Sequence, residues 1–333
     1  MKVVITGGTG FIGQMLARRL LEKGTLIGAS GQPEVIDEIV LSDFYLPEVL
    51  PEGLEGRVTI VSGDISDPQT INALVDRDDI AIFHFASVVS AGGEKDFDMA
   101  MRVNLDGARH VLEALRAQGS TRGGMPKLLF TSSLATFGGD AMPSRVSDTT
   151  KPNPQTTYGM TKFIGELMIN DYARKGFVDG RVARLPNIVI RPGKPNAAAS
   201  SFNSGIFREP LNGETCYLPV NRDTVMADLG HRNTVEGIIT LMDLDGDKLG
   251  SDRAVFLPSR SFSMHECIEA METVAAARGI KSGDVVDQPD PLIQTIISGW
   301  PTEIDSSRGL ALGLPQDQSL EQIIEDYIDD FMD

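Results

Sequence analysis

Short apolar runs alternate with helix-period stretches through the first half of the chain. KVVIT at 2–6 is a β-branched run and reads as a buried strand. FIGQMLARRLLEK at 11–23 carries apolar residues at helical spacing and ends at Gly24, a helix C-cap. Residues 24–34 read as a glycine-containing loop. Further strands are predicted at 36–41, 57–61, 80–85, 127–131 and 181–185, with helices over 68–76, 96–118 and 156–175. Residues 134–155, rich in proline and polar side chains, read as a loop. Strands alternating with helices mean βαβ units, and right-handed crossovers arrange these as an α/β fold with a Rossmann-type doubly wound parallel sheet.

The pattern changes after about residue 192. Turns become denser, and helices are predicted near 200–212, 231–242, 263–277 and 318–331. The expected organisation is a dinucleotide-binding domain over 1–192 and a smaller C-terminal substrate lobe over 193–333, with some of its segments returning to the first domain. The lobe would lie over the carboxyl ends of the strands, where ligands bind in such sheets.

Composition narrows the function classes. The formal net charge of −17 argues against phosphate backbones and anionic lipid as partners. No apolar run reaches the length of a membrane span, and the amino-terminal stretch lacks the apolar core of a signal peptide, so a cytoplasmic protein is expected. Cys216 and Cys267 lack metal or redox spacing, and His84, His110, His231 and His265 do not pair at ligand spacing, so no metal is expected. One window departs from the acidic average. Residues 181–208 contain Arg181, Arg184, Arg191, Lys194 and Arg208 and no acid. Either an anionic small molecule or a set of plain surface charges accounts for it.

The candidate chemistry starts at Thr6-Gly7-Gly8-Thr9-Gly10-Phe11-Ile12-Gly13, between a strand and a helix. Glycines there let the backbone approach a pyrophosphate, and the helix start offers free N–H groups. Gly7, Gly10, Phe11, Ile12 and Gly13 are therefore candidate cofactor contacts. Asp43 ends the second strand, where a carboxylate binds both ribose hydroxyls and repels a 2′-phosphate. No Lys or Arg occurs between Lys23 and Arg57, so NAD is expected over NADP. Asp64 and Ile65 after the third strand would face the adenine, and Ala86 and Ser87 after the fourth would line the cofactor path. His84 reads as a packed core residue.

Tyr158 and Lys162, at i and i+4 near a helix start, share a face. A phenol needs help to act as a base at neutral pH, and a neighbouring ammonium lowers its pKa. Ser133, at the end of the fifth strand, would hydrogen-bond the oxygen that loses its proton. Asn104, inside helix 96–118, is either a solvent-facing residue or the holder of a water beside the lysine.

These motifs resemble the extended short-chain dehydrogenase/reductases. TGGTGFIG resembles their TGxxGxxG loop, and TSSLATFG with Asn104, Tyr158 and Lys162 resembles their catalytic tetrad. RLPNIVIRPG at 184–193 is similar to their segment beside the nicotinamide, which places Pro186 and Ile188 against that ring. Phe137 departs from the pattern, since many members carry Tyr there, and this changes a packing or substrate contact. GFVDGRVARLPNIVIRPGKPNAAASSF (176–202), REPLNG (208–213) and ISGWP (297–301) resemble the subgroup that acts on D-erythronate. That implies oxidation of the C2 hydroxyl of a four-carbon sugar acid to 2-oxo-tetronate. A small anionic sugar acid is then the expected partner, with a homodimer as the assembly considered. Arg184 and Arg191 are the candidates for its carboxylate, or else structural ion pairs, with Lys194 and Arg208 behind them. The rival readings are a nucleotide-sugar epimerase or uronate dehydrogenase on the same scaffold, and a non-catalytic NAD-sensing protein.

Overall fold

The structure, a computed structural model, describes residues 1–47, 53–122, 125–195 and 198–332. Asn196 and Ala197, inside one of the resembling blocks, lie outside the described residues. The central sheet uses β1 (Lys2–Thr6), β2 (Glu38–Asp43), β3 (Thr59–Ser62), β4 (Ile80–His84), β5 (Lys127–Ser133) and β6 (Asp179–Leu185). After β7 (Asn187–Val189) and β8 (Val225–Gly230), the strand β9 (Ala254–Phe256) returns to the edge of the same sheet. The order is β9-β6-β5-β4-β1-β2-β3, and all six pairings are parallel. Chain order reverses between β1 and β4, which opens a crevice at the carboxyl ends of the strands.

Strand alternation separates two apolar layers. Val3 and Ile5 point to one face, where α1 (Phe11–Lys23) and α6 (His231–Asp243) cover them with Leu16, Leu20, Ile238 and Leu241. Val4 points to the other face with Ile82, Leu128 and Val182, beneath α2 (Pro68–Leu74), α3 (Gly107–Arg122) and α4 (Thr157–Arg174). Burial of each such side chain is worth about 1.5–3 kcal/mol. A third apolar cluster joins α5 (Phe202–Leu211), α7 (Met264–Ala277) and α8 (Leu320–Phe331) through Ile206, Phe207, Met271, Ile323 and Tyr327. Helix α6 and strand β9 thus tie the second half of the chain to the first sheet.

Local chemistry explains the element ends. Asp67 caps α2 by accepting from Gln69 N–H, with Pro68 at the first helical position. Ser263 and Glu266 form a reciprocal capping box on α7. Gly24, at φ 71°, ends α1 and donates to the Leu20 carbonyl. The helix expected over 96–118 is interrupted: Phe97–Ala100 is α-helical, Met101–Asp106 is a π-helical turn, and α3 begins at Gly107. A three- or four-residue apolar period cannot report such a turn, because it adds one residue without changing which side chains are apolar. The loop expected over 24–34 contains a two-stranded antiparallel ribbon, Thr25–Ile27 with Pro33–Val35. Among the described residues no helix is long and apolar enough to cross a membrane.

Candidate active site

The glycine loop sits at the point where the sheet reverses. Gly7 has φ +68°, and a Cβ there would stand 2.8 Å from the Ala86 nitrogen. At Gly13 a Cβ would stand 2.7 Å from Gly8 Cα, so the start of α1 packs directly on the turn. The helix begins at Gly10 without a side-chain cap, which leaves its first N–H groups for an anion. This bare cradle fits a dinucleotide pyrophosphate. Phe11 and Ile12 follow half-buried, and the Phe11 ring leans on His231 and Phe331, 6.2 and 5.9 Å between centroids.

Asp43 ends β2 in register with Ser62 of β3, beside the loop. Its Oδ2 accepts from Thr9 N–H at 3.2 Å and Thr9 Oγ1 at 2.7 Å, and its Oδ1 accepts from Phe44 N–H at 2.8 Å. The carboxylate therefore ties the phosphate loop to the strand end. Thr9 is a participant that the glycine spacing did not single out. Asp64 Oδ1 accepts from the backbone and side chain of Ser66, both at 2.8 Å, while Ile65 is buried in the core against Gly107. Ala86 and Ser87 are half-buried, and Ala86 N–H donates to Thr6 Oγ1 at 3.3 Å. His84 is buried, its Nδ1 2.7 Å from Thr6 Oγ1. Desolvation first, and the nearby Lys162 charge second, hold its pKa down at about 3, so it is a neutral core group. Pro186 and Ile188 follow the end of β6, whose Leu185 is in register with Ser133.

Ser133, Tyr158 and Lys162 come together. Thr156 caps α4 by accepting from Gly159 N–H at 3.0 Å, which orients the first turn. A Cβ on Gly159 would lie only 2.0 Å from the Ala135 carbonyl oxygen, so α4 approaches the segment after Ser133 as closely as backbone allows. Across this contact the Ser133 hydroxyl accepts from Ala135 N–H at 3.2 Å and lies near enough to the Tyr158 phenol to favour its ionised form. Lys162 is buried, with Nζ 5.6 Å from the Tyr158 ring centroid and 4.8 Å from that of Phe130. Burial pulls Lys162 down to about 7. Burial raises Tyr158, only partly offset by Ser133. The expectation that the lysine lowers the phenol's pKa is therefore corrected: desolvation penalises both charged forms, and the half-charged lysine cannot outweigh it. Asn104 stands in the π-helical turn, accepts from Val88 N–H at 2.7 Å, and donates to the Val88 carbonyl at 3.0 Å and Thr161 Oγ1 at 3.2 Å. It brackets the segment after β4 to the lysine's helix.

The two arginine candidates part ways. Arg184 is buried, and its Nε and Nη2 donate to Glu166 at 3.0 and 2.7 Å, while Nη1 donates to the Asp148 carbonyl at 3.1 Å. The rings of Phe137 and Phe256 flank it at 5.3 and 5.5 Å. Arg184 as a substrate fork is therefore corrected: its donors are spent on an internal ion pair. Phe137 is likewise a packing residue. Glu166, four residues after Lys162, also accepts from Ser132 Oγ on β5 at 2.5 Å, a long-range link that no local spacing signals. Arg191 is half-buried, and among the described residues its guanidinium has no ion-pair partner. Cys216 and Cys267 are free and buried, and the described residues hold no acid, histidine and cysteine cluster suited to a metal.

Comparison with known proteins agrees with this geometry. Residues 3–245 match the family model described as NAD dependent epimerase/dehydratase family. The chain is 45% identical over 331 residues to a D-erythronate dehydrogenase of Cupriavidus necator, covering 99% of this chain and 98% of that protein. It is 37% identical over 331 residues to a D-erythronate dehydrogenase of Haemophilus influenzae, covering 99% of each. A crystal structure described as a nucleoside-diphosphate-sugar epimerase from Agrobacterium tumefaciens superposes with a TM-score of 0.90 at 36% identity, covering 100% of this chain and 94% of that one. A family match over most of the chain and two full-length relatives above 30% identity settle the relationship: this chain belongs to the NAD dependent epimerase/dehydratase family, and its cofactor is NAD.

Proposed function

We propose that the chain is a D-erythronate dehydrogenase, oxidising the C2 hydroxyl of a four-carbon sugar acid with NAD. The full-length identity to two dehydrogenases of that name carries the reading. Gly7, Gly10, Phe11, Ile12 and Gly13 would hold the pyrophosphate and Asp43 the adenosine ribose. Asp64 and Ile65 would hold the adenine, Ala86 and Ser87 the middle of the cofactor, and Pro186 and Ile188 the nicotinamide. NAD, when bound, supplies the acceptor for the hydride that leaves C2.

The chain's own residues handle the proton. Ser133 donates to the substrate oxygen, and Tyr158, as phenolate, takes the hydroxyl proton onto its oxygen. Lys162, one helical turn after Tyr158 on α4, would orient the nicotinamide ribose, and burial holds its own pKa down. The unpaired guanidinium of Arg191 supplies a donor fork for the substrate carboxylate.

A panel of four- and five-carbon sugar acids with NAD⁺ and NADP⁺, read by NADH absorbance, tests substrate and cofactor together. The expected result is NADH formation with D-erythronate and NAD⁺. Turnover of a nucleotide sugar without net NADH would overturn the reading in favour of an epimerase, the activity in the description of the Agrobacterium structure.

A further inference from the structure

Arg191 ends the extended segment that follows β7, and its peptide group is held from both sides by α5. Arg191 N–H donates to Ser204 Oγ at 3.1 Å, and its carbonyl accepts from Arg208 Nη1 at 3.0 Å. Ser204 and Arg208 are both buried. Arg208 Nη2 donates to Glu209 Oε1 at 2.5 Å, which stops the guanidinium from swinging away. Helix α5 is itself anchored, since Asn203 Nδ2 donates to Asp228 of β8 at 2.7 Å. The backbone of Arg191 is thus fixed to α5, and α5 to β8.

The side chain of Arg191 is the opposite case. Among the described residues no carboxylate answers it, and the charged group acting on it is Arg208. Burial and that like charge both disfavour its cationic form. A partly desolvated guanidinium beside a second one is costly unless an anion joins them. Two of the Arg208 N–H groups already face the Arg191 carbonyl and Glu209, so its fork is turned to the peptide and its acidic neighbour, whereas that of Arg191 is open.

We propose that Arg208 is a positioning residue: by gripping the Arg191 peptide, with Ser204 on its other side, it aims the Arg191 guanidinium at the substrate carboxylate and so sets the preference for an acid. The inference rests on the sugar-acid reading above. It separates the cations of the 181–208 window by task. Arg184 holds the fold together, Arg191 meets the substrate, and Arg208 acts only through Arg191.

Steady-state kinetics on the full chain with D-erythronate and NAD⁺ test this in a double-mutant cycle of Arg191→Met and Arg208→Met. Arg208→Met should raise KM for the acid about tenfold with kcat within about threefold, and leave the Kd for NAD in place. Arg191→Met should raise KM about 100-fold. In the Arg191→Met background, Arg208→Met should add less than about twofold, because the residue through which it acts is gone. A merely structural role would keep its full effect in both backgrounds and would lower kcat and NAD affinity as well, and that result overturns the proposal. Ser204→Ala, which removes the other clamp without touching charge, gives the same cycle if Arg208→Met does not fold. Wild-type protein that makes no NADH from any sugar acid overturns the functional reading itself. Wild-type turnover with unmoved KM in the Arg208 and Ser204 variants overturns only the positioning role.

Discussion

Replacing Lys162 with methionine should stabilise the cofactor-free protein while removing its turnover. Lys162 is 3% exposed, its Nζ lies among the rings of Phe130 and Tyr158, and no carboxylate pairs with it among the described residues. Burial brings it from 10.5 to about 7. The unfolded chain therefore binds a proton that the folded chain resists between pH 7 and 10.5, and stability rises with pH across that window. Worked from those two values, the cost of Lys162 is roughly 4 kcal/mol at pH 7 and about 1 kcal/mol at pH 10. Methionine keeps the unbranched apolar stem and carries no charge, so its packing change is small. Urea unfolding followed by Trp300 fluorescence, at pH 7 and pH 10 without NAD, reads the difference directly. Lys162→Met should unfold at higher urea at pH 7, and most of the gain should vanish at pH 10. Turnover should fall at least about 100-fold at both. Equal stability at pH 7, or a gain of the same size at both pH values, would refute the argument that burial of this ammonium is uncompensated.

Asp228 is fully buried, its carboxylate accepting one hydrogen bond among the described residues, from Asn203, and its pKa is pushed up to about 7 by desolvation. Stability that it withdraws grows as pH rises from about 4 to 7, so Asp228→Asn should raise Tm at pH 8 and leave it nearly unchanged at pH 4. Gly159→Ala places a Cβ against the Ala135 carbonyl and should push α4 away from Ser133, lowering kcat by about 100-fold while NAD titration by fluorescence shows retained binding. Arg184→Met leaves the buried carboxylate of Glu166 without its cation, while Asp148 keeps Arg308 and Phe256 N–H, and should cost about 3–5 kcal/mol in urea unfolding, with KM for the acid unmoved in protein that remains folded. A raised KM without lost stability would restore Arg184 to the substrate site.

Much of the site was legible because its signals are local. The glycine loop, the strand before it and the helix after it occupy the consecutive residues 2–23, and each glycine answers to a close approach within that stretch or to the adjacent β4 end. Asp43 was legible because the strand ends on it. Tyr158 and Lys162 share a helix face by their spacing, and Ser133 at the strand end with the glycine loop ahead of them singled them out; the cap at Thr156 was visible only in the fold. The charge window at 181–208 was a poorer guide. Sequence shows no acid inside it, yet Arg184 meets Glu166 and Asp148, which lie outside it, and Arg208 meets Glu209 one residue beyond. The shifted pKa values of Tyr158 and Lys162 were illegible for the same reason, since desolvation depends on what the rest of the fold brings over them.

Arg184 and Arg191 show what decides between structure and function in such a window. They stand seven residues apart on one extended segment, carry the same charge and are both partly or wholly removed from water. In Arg184 the guanidinium finds two carboxylates and a carbonyl, so the fold itself satisfies it. In Arg191 the fold spends its hydrogen bonds on the peptide and leaves the guanidinium open beside Arg208. A buried network that is complete gains nothing from a ligand, whereas an incomplete one is stabilised by an anion that completes it. Sugar-acid binding should therefore raise Tm in wild-type protein and leave it unmoved in Arg191→Met, even in a Tyr158→Phe background where no turnover consumes the ligand.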